Sequence, residues 1–321
     1  MSESTNAISS GGVRQRSPFD LTMRRLMRDK ASLVALGFII LLIIFASCAP
    51  LIEAATGHSA IEQYRTTGLS EMGLPVAPNA EFLLGTDHLG RDVLVRLAYG
   101  ARVSLLVGVL ASLAAAFIGL TIGLIAGYVG GTTDMILSRF MDLVMSVPFL
   151  LCALALVSVF GPSLGLSVGV IVFFSWTTMG RVIRAEVSTL RHREFVEASR
   201  SLGAGPVSIM MRDILPNLSV PIIVYTTMMI PSSVVFEATL SFLGLGIVPP
   251  TSSWGGMLAD AANNSIYLVA WWLVIFPGFA LLLTTLAFNI LGDGLRDALD
   301  PRARPISMNK LKKMQEKAKR A

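Results

Sequence analysis

A chain of 321 residues that is 53% hydrophobic and only 15% charged is not an ordinary water-soluble protein, for which the charged share is about 25%. Its mean hydropathy of +0.68 points to a bilayer, and its charge of +5 carries no aromatic-interleaved basic patch that would suit nucleic acid. Cys48 and Cys152 lie far apart in apolar segments, and His58, His88 and His192 have no partners at metal-ligand spacing, so neither a disulfide nor a metal site is expected.

Six apolar segments follow one another, at 31–52, 103–127, 140–160, 166–180, 218–243 and 268–291. Most reach the about 20 residues a helix needs to cross the hydrocarbon core. The fourth is the shortest, because Arg181 and Arg184 cut it off. If both termini lie inside, 22 of the 26 Lys and Arg residues fall on the inner side. The other four, Arg65, Arg91, Arg96 and Arg102, fall outside. That bias predicts an all-α membrane protein with six transmembrane helices, N-in and C-in.

The chain then divides into an inner tail (1–30), a first span with a long outer segment (31–102), a five-helix core (103–291) and a second inner tail (292–321). Residues 1–17, rich in Ser, Gly and Arg, read as disordered, and Asp20 to Lys30 as a short basic helix on the inner membrane face. About 30 polar and basic residues before the first apolar segment speak against a cleavable signal peptide. The outer segment ends in LLGTDHLGRDVLVRLAYGARVSL. Gly85-Thr86-Asp87 reads as a turn, and Val93, Leu94, Leu97 and Ala98 as the apolar face of an interfacial helix leading into the second span.

In that span Gly119, Gly123, Gly127 and Gly131 recur every four residues and flatten one face for helix contact. The third span opens with Arg139 and Asp142, spaced to pair at i, i+3, and Pro148 predicts a kink. Gly161-Pro162 reads as a tight turn to the fourth span.

The stretch 181–217, RVIRAEVSTLRHREFVEASRSLGAGPVSIMMRDILPN, cannot cross a membrane. Two short helices are predicted there. One runs to about Leu202 and ends on Gly203, which is free to take positive φ. The other starts at Pro206 and stops before Pro216. Phe195, Val196, Ala198 and Leu202 are spaced to share one apolar side of the first. A plain connector is the alternative.

The fifth span carries Pro221, Pro231 and Glu237. Glu237 sits near its outer end, either at the mouth of a pathway or at a hydrated end position. The loop SFLGLGIVPPTSSWGGML follows, with Trp254 suited to the membrane interface, and the last span closes in NILGDGLRDALDPR.

Glu197-Ala198-Ser199, then Arg200, Gly203 and Leu215-Pro216, resemble the EAA loop of ABC-importer permeases, whose usual form is E-A-A, three residues, G, nine residues, I-x-L-P. Ser199 replaces the second alanine, and Asp213 falls where isoleucine is usual. The GTD-x-x-GRD segment, the Trp254 loop and the NILGDG end are similar to the dipeptide/oligopeptide/nickel branch of that family, so the resemblance spans about Leu21 to Arg304. It implies the type I importer permease fold in a cytoplasmic membrane. It also implies a second permease, two ATPase subunits that bind ATP and Mg, and an extracytoplasmic binding protein that delivers substrate. In that family the loop seats on the ATPase.

The chain has no G-x-x-x-x-G-K-[ST] phosphate loop and no catalytic constellation, so no enzyme activity and no cofactor of its own are expected. A self-powered secondary transporter would call for paired ionisable residues at mid-membrane and inverted repeats, and neither is evident. Peptides, nickel chelates, glutathione and other small solutes are all substrates that the resemblance allows.

Overall fold

The computed structural model describes residues 26–263 and 265–299. The stretch 1–17, most of the expected helix at 20–30 and the tail from 300 lie outside them. Among the described residues there is no strand, only the isolated bridges Leu69–Pro75 and Thr86–Asp92.

Helix α1 (Lys30–Ser47) starts where Asp29 accepts the Ala31 and Ser32 amides at 3.2 Å each, filling donors a helix start leaves open. Ser32 Oγ also donates to Asp29, and these bonds hold its carboxyl below the usual carboxylate range. After Cys48, α2 (Ala49–Thr56) ends on Gly57 at φ +70°.

Helix α3 (Val93–Val129) is capped by Asp92, which accepts Leu94 N at 2.8 Å and Val95 N at 3.3 Å. The expected interfacial helix and second span are thus one unbroken rod. Its 37 residues make it about 55 Å long, well beyond a hydrocarbon core of about 30 Å. Helices α4 (Gly131–Ser146) and α5 (Phe149–Phe160) meet at 79° across Pro148, a break sharper than a kink.

Helix α6 (Leu164–Leu190) does not stop at 180. Arg181 donates to Asp142 at 2.6 Å, and Arg184 forks onto both oxygens of Asp134, so arginines that looked like terminators are neutralised on the helix flank. Asp142 therefore pairs chiefly with Arg181, and Arg139 stands 3.8 Å away. Helix α7 (Glu194–Ser201) is followed by an irregular helical run, α8 (Ser219–Phe242), α9 (Trp254–Asn263) and α10 (Trp272–Leu299). Five of these stretches are long and apolar enough to cross a membrane, namely α1, α3, α6, Pro206–Phe242 and α10; the bent α4–α5 pair is a sixth if it is counted as one span.

The α3–α6 pair forms the most extensive helix contact. A Cβ on Gly119, Gly123 or Gly127 would stand 2.5, 2.6 or 2.7 Å from the Trp176, Gly180 or Arg184 carbonyl oxygen of α6, which explains three of the four glycines. Gly131 lies past the turn at Gly130, with nothing near it, and is not part of that face. At the far end of α10, Gly294 faces Ser32 and Asp29, where a side chain would strike the α1 cap. Helix α8 packs between α3 and α10, and α1 lies along α10.

Helix α9 was not foreseen, and it corrects the reading of Trp254. That indole is fully buried among α1, α3, α9 and α10 rather than at a membrane interface. Its Nε1 donates to the Leu97 carbonyl at 3.1 Å, the partner a buried indole needs.

Candidate functional site

Residues 191–218 form one end of the bundle, and their geometry begins with an anchor. Arg191 Nη1 donates to the Gly127 and Tyr128 carbonyls, at 3.2 and 3.4 Å, tying the start of the loop to the last turn of α3. In α7, Glu194 and Glu197 occupy the first turn and Arg200 the last, the order the helix dipole favours.

The expected single apolar side of α7 is split. Val196 is fully buried, whereas Phe195 and Leu202 are 42% and 88% exposed. Residues 195 and 202 are seven apart and share a face, while 196 is rotated by about 100°. With Val207 and Met211, also exposed, they leave apolar surface on the rim of the loop. Glu197, Ala198 and Arg200 are exposed and Ser199 is half-buried. The Glu197 carboxylate has no ion pair among the described residues. Gly203 takes φ +85° as expected, and its amide and that of Ala204 close the helix on the Arg200 and Ser199 carbonyls at 3.0 and 3.1 Å.

The second loop helix does not end before Pro216. The chain passes through Pro206–Ser208 (α), Ile209–Ile214 (π) and Leu215–Leu218 (3₁₀) straight into α8. A proline lacks the amide and crowds the carbonyl four residues back. Widening the preceding turn to π spacing and tightening the next to 3₁₀ absorbs both defects without ending the rod. Asn217 Nδ2 donates to the Asp213 carbonyl at 2.6 Å in that turn. Leu215 is half-buried, Pro216 is exposed, and Ile209, Ile214 and Leu218 are buried anchors. The short α7 therefore hangs between two long rods, α6 and Pro206–Phe242.

The opposite end holds a buried ion cluster that sequence spacing could not reveal. Arg91 Nε meets Asp87 at 2.7 Å, Arg96 Nε meets it at 3.3 Å, and both guanidiniums reach Asp260 of α9 at 3.3 Å. Thr86 Oγ1 donates to the Gly68 carbonyl at 2.6 Å and accepts Val76 N at 2.8 Å. The GTD-x-x-GRD segment is thus a clamp between the start of α3, residues 68–76 and α9. Two of the four arginines assigned outside are its buried partners. Ligand atoms of Asp87, His88 and Asp260 come within 4.8 Å of one another. Because Arg91 and Arg96 already occupy both carboxylates, the group reads as part of the clamp.

Glu237 is fully buried, not hydrated. Ser104 of α3 donates to its Oε2 at 2.9 Å and Ser241 to its Oε1 at 2.7 Å. Each hydroxyl in turn accepts a backbone amide, from Trp254 at 3.5 Å and Ile247 at 3.3 Å. That directional chain ties α3, α8 and the start of α9 together. Cys48 and Cys152 are free thiols.

Residues 119–305 match the binding-protein-dependent transport system inner membrane component family, and residues 17–65 match the N-terminal transmembrane domain of oligopeptide transport permease C. The chain belongs to the first family. It is 40% identical to a dipeptide transport system permease of Bacillus subtilis over 88% of this chain and 85% of that relative. It is 39% identical to an oligopeptide transport system permease of Escherichia coli K12 over 91% and 94% of the two chains. A di/tripeptide transport system permease of Pseudomonas aeruginosa is 40% identical over 89% and 93%. This inner membrane component is accordingly a non-enzymatic, multi-pass permease of a binding-protein-dependent system.

Proposed function

We propose that the chain is one of two permease subunits of an ATP-driven importer of di- and oligopeptides. An extracytoplasmic binding protein delivers the substrate, and two ATPase subunits bind ATP and Mg. Both termini and the 191–218 loop lie in the cytoplasm, and the α4–α5 pair counts as the sixth span. The observation that carries this reading is α7, an exposed helix with uncovered Phe195 and Leu202 held between two span-length rods.

Glu197, Ala198, Ser199, Arg200 and Gly203 present or shape the ATPase-facing surface, and Leu215 and Pro216 join it to α8. Closure of the ATPases displaces α7, and the rods turn that displacement into a switch between inward- and outward-facing arrangements. Glu237, a candidate for the outer pathway, is here assigned to holding α3 against α8. The relatives' names favour peptides over nickel chelates, glutathione or another small solute. A secondary transporter would call for paired ionisable residues at mid-membrane, whereas the buried Glu237 of α8 meets serine hydroxyls and no charge among the described residues.

Reconstitution of the purified complex with its binding protein in proteoliposomes tests this. Labelled di- and tripeptides should accumulate only with ATP inside or outside as the orientation dictates, and the isolated chain should hydrolyse none. ATP-independent accumulation driven by an ion gradient would overturn the reading.

A further inference from the structure

The two rods that flank the coupling loop also face each other within the membrane. Helix α6 and α8 run antiparallel and enclose a groove of about 370 Å³, within the range of about 300–1,000 Å³ common for small-molecule sites. Ser175 and Thr178 of α6 and Tyr225 and Ser232 of α8 place four hydroxyls along it. Thr178 and Ser232 are exposed. Two other large grooves differ. The one between α3 and α8, about 490 Å³, has Thr226 and Thr227 among otherwise aliphatic and aromatic side chains, and the one between α1 and α10, about 450 Å³, has Lys30 at its rim and is otherwise apolar, as lipid-facing surfaces are.

At the end of the hydroxyl-lined groove away from the loop stand three phenylalanines. Phe149 packs on Phe236 at 4.5 Å between ring centroids and meets Phe174 edge-on at 5.4 Å. Phe149 is the first residue of α5, immediately after the 79° break, so a change in that angle moves its ring.

We propose that this groove is the chain's wall of the translocation path, that its hydroxyls take the backbone of a short peptide, and that Phe149, Phe174 and Phe236 close its far end. The proposal rests on the peptide-permease reading and adds the residues that meet the substrate. A hydroxyl both donates and accepts, so it can serve peptide N–H and C=O groups in any register. Among the described residues no charged side chain lines the groove. Charged termini and side chains are therefore not gripped, which favours passage of varied peptides over retention. Because the walls are the rods joined to α7, displacement of the coupling helix acts directly on the groove.

The test uses the full reconstituted complex with Cys48 and Cys152 replaced by alanine. Single Thr178→Cys and Ser232→Cys variants are exposed to a membrane-impermeant, positively charged thiosulfonate. Phe117→Cys, on the apolar α3–α8 groove, is the control. The expected result is modification at 178 and 232 at least ten-fold faster than at 117, slowed by a di- or tripeptide during turnover, with uptake lost on modification. Phe149→Ala should raise ATP-independent peptide leak several-fold. Reaction at 178 and 232 no faster than at 117, in variants present at wild-type membrane levels, would remove the path assignment. Fast, ATP-sensitive reaction in a complex whose unmodified form takes up no peptide would keep the path and remove the peptide.

Discussion

At Gly203 the backbone sits at φ +85°, and a Cβ there would meet nothing within 4 Å. Any effect of a side chain is thus conformational, not steric. Gly203→Val should cost about 1–2 kcal/mol at that position, misorient α7, and lower ATP-driven uptake several-fold at unchanged membrane levels. Gly203→Asn, which tolerates the left-handed region, should retain most uptake. Equal uptake by both variants would show that the loop geometry does not matter. Glu237 offers a second case. Ser104→Ala removes one of the hydroxyl donors to a fully buried carboxyl group, a loss of about 1–3 kcal/mol. The melting temperature of the solubilised complex should fall by several degrees, and an unchanged value would contradict the latch. These two residues differ in how far the sequence discloses them. A glycine closing a short amphipathic helix is a local signal. Of the partners of Glu237, Ser241 sits at i+4 on the same helix, but Ser104 lies 133 residues away, so neither the burial nor the contact with α3 could be read from its place near the end of a span.

Helices α3 and α6 meet through backbone, which only glycine permits. In Gly123→Val the new Cβ would stand 2.6 Å from the Gly180 carbonyl and 2.9 Å from Ile183 Cβ, main-chain and branched atoms with little room to give. The expected outcome is about 1–3 kcal/mol of destabilisation and reduced membrane levels, whereas Gly169→Ala, on open surface of α6, should be neutral. Similar levels for the two would mean the helices are free to separate. The apolar runs and the four-residue glycine spacing made the spanning elements and this contact legible. Their ends were not. Arg181 and Arg184 looked like a boundary because Asp142 and Asp134, on α4, are invisible to a local reading. Pro216 looked like a stop because propensity rules do not anticipate a π turn feeding a 3₁₀ turn. Trp254 looked interfacial because its cover comes from α1, α3 and α10, which converge only in the folded chain.

For the whole molecule the account is of two ends joined by rods, a clamp around Asp87, Arg91, Arg96 and Asp260 at one and the α7 loop at the other. The proposed orientation puts the α7 end in the cytoplasm, and it rests on the 22 Lys and Arg residues that it places inside against 4 outside. A cysteine in place of Met72, 87% exposed at the clamp end, should react with an impermeant thiol reagent applied outside intact cells. Protection of position 72 from outside would reverse the topology. The central claim is that α7 docks on an ATPase, and Leu202, 88% exposed beside the Gly203 turn, is the position to probe. A Leu202→Cys variant in an otherwise cysteine-free chain, treated with a short bifunctional thiol crosslinker in membranes containing the whole complex, answers it in one gel. The expected result is a single crosslinked product of this chain with an ATPase subunit, its yield changed by ATP and vanadate. A complex that copurifies intact yet gives no such product with crosslinkers of graded length would contradict the docking of this loop.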